Sequence, residues 1–134
     1  MDIFLGVLLL LVAHYIGDFY CQSRYIAEKK SENLWVLIKH VGIYSMVLFV
    51  ILFTGLYLLN IVSLLHAFQM AIGITFVNGL LHYMIDFFTS KMNSHFWKTK
   101  QVRNFWLTIG FDQLLHTGIL VYCYADMLNN FNYI

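Results

Sequence analysis

Four long apolar runs, separated by short polar segments, make up most of this chain. The runs are Ile3–Tyr20, Leu34–Leu59, Val62–Phe88 and Phe105–Leu128. Each is about as long as the 20 or so residues that an α-helix needs to cross the hydrocarbon core of a bilayer. Only 11% of the 134 residues are charged, against about 25% in an average soluble domain. We therefore expect an all-α polytopic membrane protein, with residues 1–134 forming a single bundle of four transmembrane helices.

The basic residues are confined to two of the polar segments and their immediate surroundings. Ser23–Asn33 and Thr89–Asn104, the latter expected to be a loop, hold all but one of them, and Lys39 lies just inside the second run. The first and third connections of a four-span protein lie on the same side, and the positive-inside rule assigns that side to the cytoplasm. The sequence therefore predicts a multi-pass protein of the inner (cytoplasmic) membrane with both termini outside the cytoplasm.

Polar side chains recur at helical spacing inside these apolar runs. The third run carries Asn78, His82 and Asp86 at intervals of four, which places them on one face of a helix. Such groups are costly in hydrocarbon, so this face should point inward. The first run repeats the pattern His-Tyr-x-x-Asp-Phe-aromatic with His14 and Asp18. The duplication favours two related helical hairpins, arranged about a pseudo-two-fold axis along the membrane normal.

The second and fourth runs add polar residues at a matching depth. Counted at about 1.5 Å per residue from the basic ends, all four runs place ionisable residues at a similar depth in the cytoplasmic half, whereas the outward half is almost wholly apolar. Helix association alone needs far fewer polar groups, and ionisable residues inside a membrane usually mark a functional site. We expect one polar cluster inside the bundle, consisting of His14, Asp18, Gln22, His40, Tyr44, Asn78, His82, Asp86, Asp112, Gln113 and His116.

Imidazoles and carboxylates in this combination suit a divalent metal ion. Zinc is the first choice, with manganese or iron as alternatives, and helical bundles build such sites in their cores. The expected metal ligands, led by His14, His82 and His116, are His14, His40, His82, Asp86, Asp112 and His116. The candidate catalytic carboxylates are Asp18, Asp86 and Asp112, of which one left uncoordinated would act as general base. The remaining polar residues, in a supporting role, are Gln22, Tyr44, Asn78 and Gln113.

The cluster indicates a metal-dependent membrane hydrolase whose site opens toward the cytoplasmic leaflet. The basic segments beside it suit a lipid or another amphipathic phosphoester as substrate. Two alternatives stay open: a metal-ion or proton-handling transporter component, and a non-catalytic membrane module that binds a partner. The apolar outward half disfavours transport by a monomer and leaves an oligomer open. No nucleic-acid motif is present, so we expect the bilayer, and not a nucleic acid, as partner.

Four motifs give the chain a family resemblance. They are His14-x-x-x-Asp18-Phe-x-x-Gln22 followed by Lys29 or Lys30, His40-x-x-x-Tyr44, Asn78-x-x-x-His82-x-x-x-Asp86 with Lys91, and Asp112-Gln113-x-x-His116. In this pattern the chain resembles the domain-of-unknown-function family 3307, small integral-membrane proteins of bacteria and their phages. The resemblance covers most of the chain and implies a four-span membrane protein. A looser likeness to membrane-bound metal-dependent hydrolases rests on the His/Asp pairs within helices and is an analogy.

Overall fold

The computed structural model describes residues 3–130, which are helical almost throughout. The helices are α1 (Ile3–Tyr15, continued by a π-helical turn at Ile16–Tyr20), α2 (Arg24–Lys29), α3 (Leu34–Leu58), α4 (Leu64–Lys98) and α5 (Val102–Asn130). Within residues 3–130 there is no β-strand. The all-α fold that the apolar runs predict is therefore confirmed. Helix α5 continues two residues past the end of the fourth apolar run at Leu128.

Three helical segments are long and apolar enough to cross a membrane, judged by length and composition. They are Ile3–Tyr20, Leu34–Leu58 and Leu64–Lys98. In the described part of the chain α5, the expected fourth span, is not among them. The polar residues on its inward face, Thr108, Asp112 and His116, are buried and lower its mean hydropathy. Its outward face is apolar, and Trp106 and Leu114 are both exposed there.

The four long helices pack in a ring. Helix α1 contacts α3 and α5, and α4 contacts the same two helices. The two helices that carry the repeated His-Tyr-x-x-Asp motif, α1 and α4, therefore lie diagonally across the bundle and direct both motifs toward its centre. On one side of this centre the bundle is filled by fully buried apolar side chains, among them Leu10, Leu48, Leu52, Met70, Ile74 and Leu120.

Helix α4 extends well past the end predicted for it at Phe88. The segment Thr89–Asn104, expected to be a loop, is helical up to Lys98 and again from Val102. The predicted loop is wrong because polarity alone does not end a helix, and no glycine or proline interrupts the chain there. The helix ends just before Lys100, whose φ of 59° belongs to the left-handed region that terminates helices. The extension brings Lys98 Nζ, at the end of α4, to 2.9 Å from Glu32 Oε1 in the segment that follows α2.

A π-helical turn brings the end of the first run against α3. Cys21 N–H donates to the carbonyl of Ile16 at 2.8 Å, five residues back, and turns of this kind occur frequently at functional sites. Gly17 lies in the turn, where a Cβ atom would be 2.9 Å from Tyr44 Cδ2 and 3.3 Å from Tyr44 Cα. Only a glycine allows this approach. As a result Asp18, the next residue, reaches the centre of the bundle.

Candidate metal centre

The polar residues that the sequence places at one depth meet in a buried cluster at the centre of the ring. All four long helical segments contribute to it. Its members are exposed by 8% or less, and they are His14, Asp18, His40, Tyr44, Asn78, His82, Asp86, Asp112 and His116. The expected convergence is therefore observed, while the chemical roles of these residues stay predictions.

The Nε2 atom of His40 lies at the middle of this cluster. It is 3.0 Å from Asp18 Oδ1, 3.1 Å from Asp86 Oδ2 and 3.4 Å from the Nε2 atom of His82. His82 Nε2 is in turn 3.5 Å from the same Asp18 oxygen and 3.7 Å from the same Asp86 oxygen. Zinc bonds of the usual length place tetrahedral donor atoms about 3.3–3.4 Å apart. The four residues, called here the His40 group, therefore have the spacing of a four-coordinate metal site.

Asp86 also belongs to a second set of potential ligands. Its Oδ1 atom is 3.4 Å from His116 Nε2, which is itself 3.4 Å from Asp112 Oδ1. In this set, called the His116 group, the three ligand atoms lie within 4.8 Å of one another, as do the four of the His40 group. Asp86 thus offers one oxygen to each group. A carboxylate placed in this way is suited to bridge a two-metal site.

The cluster contains more negative than positive fixed charge. It has three carboxylates, Asp18, Asp86 and Asp112, and one ammonium group, Lys30. Lys30 Nζ donates to Asp86 Oδ2 at 2.8 Å and lies 3.4 Å from His40 Nε2. With neutral imidazoles the net charge is −2, which is costly in a poorly solvated interior. One divalent cation, or the protonation of two histidines, would bring this charge to zero.

Gln113 holds the carboxylates of two helices in position. Its Oε1 atom accepts a hydrogen bond from His14 Nε2 at 3.0 Å. Its amide nitrogen donates to Asp18 Oδ2 at 3.1 Å and to Asp112 Oδ2 at 3.0 Å. The side-chain amide therefore links α1, with its π-turn, to α5. Gln113 thus contacts the cluster from α5, while its predicted supporting role stays a prediction.

Tyr44 and Asn78 orient the imidazole of His82. The Tyr44 hydroxyl donates to Asn78 Oδ1 at 2.7 Å. The Tyr44 ring stacks on the His82 ring, with centroids 3.9 Å apart and planes 16° from parallel. The stacked ring restricts how the imidazole can turn, so its Nε2 atom stays directed at the His40 group.

Two residues of the predicted site are placed differently from the others. His14 belongs to neither ligand group, because its Nε2 atom donates to Gln113 and its Nδ1 atom lies 3.4 Å from the Tyr44 hydroxyl. The geometry therefore favours His40 over His14 as a ligand. Gln22 is half-buried, and its Oε1 atom has no hydrogen-bond partner among residues 3–130. Gln22 is consequently not tied to the cluster.

Two residues at the cluster were not identified as site residues from the sequence. Thr89 Oγ1 donates to Asp112 Oδ1 at 2.5 Å. Thr89 is three residues after Asp86, so a helix that continues past Phe88 places both residues on the same face. Lys30 carried no such signal, because the family motif allows Lys29 or Lys30 and both resemble surface charges. The structure distinguishes them: Lys29 pairs with Glu32 at 3.0 Å on the surface, and Lys30 reaches Asp86.

Several imidazole nitrogens of the cluster lack a hydrogen-bond partner in the described chain: His40 Nδ1, His82 Nδ1 and His116 Nε2. Leaving such buried groups unpaired costs about 1–3 kcal/mol each. His116 Nε2 points at two carboxylates without a hydrogen bond to either. This is the arrangement expected of a nitrogen that binds a metal ion. The two Nδ1 atoms fit a metal site less well, because metal-bound imidazoles usually donate their second N–H to a protein group. The protein groups alone therefore form an incomplete network.

Comparison with known proteins places the chain in a family. No curated protein and no solved structure matches it. A family model described as Protein of unknown function (DUF3307) matches residues 7–133. The matched region includes every residue of the cluster. The chain therefore belongs to the DUF3307 family, as its four motifs indicated.

Proposed function

We propose that this protein is a multi-pass membrane protein with a divalent-metal centre, which hydrolyses a lipid or another amphipathic phosphoester. One observation carries the proposal. In a buried site, the two imidazole nitrogens His40 Nε2 and His82 Nε2 lie 3.4 Å apart, and each is 3.0–3.7 Å from the same two carboxylate oxygens. Hydrogen bonding does not account for this arrangement, because a single Nε2–H proton cannot serve three neighbours at once.

The outer surface of α5 supports a fourth membrane span. Its polar residues face the cluster, while Phe111 and Leu114, which face outward, are 54% and 67% exposed. Trp35, Trp97 and Trp106 are also exposed, and they lie close to the basic residues, as an interfacial aromatic belt would. With the basic ends of the helices in the cytoplasm, both termini lie outside it and the protein resides in the inner membrane. The diagonal placement of the repeated motifs supports two related hairpins.

The His40 group would hold the metal ion, and its two nitrogen and two oxygen donors suit zinc, with manganese or iron as alternatives. A bound divalent ion would supply Lewis-acid activation of the phosphoester and of water. Asp112 lies outside this group and is held by Thr89 and Gln113. Of the three candidate catalytic carboxylates it is the one best placed to accept a proton as general base. Asp18 and Asp86 would instead be ligands.

A proton- or metal-handling transporter component is the second candidate. In its favour, the contacts among Asp18, His40, Asp86 and His116 run without a break across the bundle. Against it, the bundle beyond Asn78 is closed by apolar side chains such as Leu52, which is completely buried. A hydrolase needs access from one side only, whereas a transporter needs access from both.

An assay of phosphate release tests the hydrolase. Full-length protein purified in detergent would be incubated with dihexanoyl phosphatidic acid and zinc, manganese or iron. We expect metal-dependent release of phosphate, reduced about 100-fold or more in His82→Ala, since even indirect support of a metal ligand is worth about 10–100-fold. His66→Ala, outside the cluster, is the matched control and should retain activity. Absence of release with all three metals, or full activity in His82→Ala, would contradict the proposal.

A further inference from the structure

A cavity of about 430 Å³ opens beside the cluster. It lies between the end of α2, the last turns of α4 and the start of α5, where Ala27, Trp97 and Phe105 contribute to its lining. Lys30 connects the cavity to the cluster, because its side chain lines the cavity while its Nζ atom contacts Asp86 at 2.8 Å. A molecule bound in the cavity would therefore be next to the proposed metal centre.

A continuous polar stripe on α4 runs from the cluster into this cavity. It has a polar residue at every fourth position, and these residues are Asn78, His82, Asp86, Ser90, Ser94 and Lys98. Neighbouring members are adjacent on the helix surface. The first three belong to the cluster, and the last three line the cavity. The stripe exists only because α4 continues beyond Phe88.

Two polar atoms of the cavity lining lack a partner within residues 3–130. Ser90 is only 8% exposed and its Oγ atom makes no hydrogen bond. Asn93 Oδ1, also in the lining, is buried without a partner. A buried polar group without a partner is destabilising. Ser90 Oγ–H can donate to an oxygen of a molecule held in the cavity, which would satisfy it.

Both glutamates of the cavity lining are paired with cations, two of which, Arg24 and Lys29, lie outside the lining. Glu28 accepts a hydrogen bond from Arg24 at 2.7 Å. Glu32 accepts from two cations, Lys29 at 3.0 Å and Lys98 at 2.9 Å. Both carboxylates are thus already paired, and one of them is shared by two lysines. The rim with its paired neighbours therefore has three positive charges against two negative ones, which favours an anion over a cation.

We infer that this cavity binds the phosphate-bearing headgroup of an anionic amphiphile, an inference that rests on the proposed function for its choice of ligand. Ser90 and Lys30 contact the phosphate oxygens. Trp97 and Phe105, whose ring centroids are 5.2 Å apart, provide an aromatic wall for the adjoining apolar part of the molecule. A headgroup uses both features of the cavity, whereas free phosphate uses only the polar ones.

Trp97 provides a direct readout, because it is in the cavity wall and the chain has only three tryptophans. In a Trp35→Phe/Trp106→Phe protein, all tryptophan emission comes from Trp97. We expect saturable changes in this emission on titration with dihexanoyl phosphatidic acid, and none with the matching uncharged diacylglycerol. Inorganic phosphate should bind at least tenfold more weakly. If inorganic phosphate binds as tightly as phosphatidic acid, the cavity binds the free phosphate anion, and the headgroup of an amphiphile is not its ligand.

Matched substitutions test the residues. Ser90→Ala and Lys30→Met should each raise the Kd for phosphatidic acid about tenfold, the usual effect of losing a hydrogen bond to a charged group. Ser45→Ala and Lys39→Met remove the same chemical groups outside the cavity lining and should leave the Kd within about twofold.

An unchanged Trp97 emission, equal responses to phosphatidic acid and diacylglycerol, or equal Kd values in all four variants would overturn the inference. Repeating the titration on chelator-treated protein separates it from the proposed function. Headgroup binding by chelator-treated protein would show that the cavity works without a metal. If the untreated protein also binds the headgroup but takes up no metal, the cavity is supported and the hydrolase is rejected. A metal-containing, active protein without headgroup binding would do the reverse.

Discussion

The Nε2 atoms of His40 and His82 face each other at 3.4 Å, and both side chains are about 1% exposed or less. Two neutral imidazoles can share one proton at such a contact. The same two nitrogens, however, also lie within 3.7 Å of carboxylate oxygens from Asp18 and Asp86. One cation among them would interact favourably with all four groups. This pair of histidines is therefore the part of the cluster that most favours a bound metal.

Two histidines of the cluster, His40 and His14, should differ in their effect on metal binding. His40→Ala removes a nitrogen of the His40 group and should abolish stoichiometric metal. His14→Ala should retain most of it, because His14 bonds to Gln113 and belongs to neither ligand group. Metal content per chain, measured by mass spectrometry on detergent-purified variants, compares the two. Loss of metal in His14→Ala with retention in His40→Ala would contradict the assignment of ligands.

Lys30→Met should strengthen metal binding. The ammonium group contacts Asp86 Oδ2 at 2.8 Å and would repel a divalent ion bound to the same oxygen. Charges a few Å apart interact by several kcal/mol at an effective dielectric constant of about 20, so we expect at least about a tenfold tighter Kd. Titration of chelator-treated protein with zinc measures this Kd, and Lys39→Met is the control. Weaker zinc binding in Lys30→Met would mean that the lysine supports the site and does not compete with the ion.

The sequence predicts much of the cluster because helical spacing and apolar context act together. Asn78, His82 and Asp86 must share a helix face, and in an apolar run that face has to point inward. The same reasoning applies to His14 and Asp18 in the first run. It identifies which residues meet, but not which atoms approach one another, since this depends on how the helices pack. For that reason the sequence ranks His14 ahead of His40 as a metal ligand, whereas the packing of the helices favours His40.

The rest of the site depends on features that local sequence does not encode. The π-turn that carries Asp18 exists because Gly17 packs against Tyr44 of another helix. Ser90 lies in the stretch predicted to be a loop. A polar stretch with no glycine or proline is equally compatible with a loop and with a helix that continues out of the membrane, so the sequence does not distinguish the two. Lys30 is one of several lysines in a polar segment, and only the tertiary fold brings it to Asp86.

Gly17→Ala should destabilise the protein. The new Cβ atom would be 2.9 Å from Tyr44 Cδ2 and 3.3 Å from Tyr44 Cα, which forces α1 away from α3. Overpacking of this kind typically costs about 1–3 kcal/mol. Gly42→Ala is the matched control, because nothing lies within 4 Å of its Cβ position and alanine favours a helix by up to about 1 kcal/mol. Thermal unfolding in detergent should show opposite shifts, and a stable Gly17→Ala protein would contradict the proposed contact.

Reporter fusions should detect a fourth span. A reporter fused after Lys100 should be cytoplasmic, because the basic residues surround this position. A reporter fused after the whole chain should lie on the opposite side, since α5 presents an apolar face outward and would cross the bilayer. Finding both reporters on one side would show that α5 does not cross. A cytoplasmic reporter at the end of the chain together with an external one after Lys100 would reverse the orientation.

The metal content of the wild-type protein tests the central claim most directly. Full-length protein purified in detergent should contain at least one zinc, manganese or iron ion per chain. Its removal by a chelator should lower the melting temperature, and adding back metal at 100 times its Kd should restore about 2.7 kcal/mol of stability. Metal-free protein whose melting temperature does not respond to zinc, manganese or iron would contradict the metal centre and leave a proton-handling network as the account of the cluster.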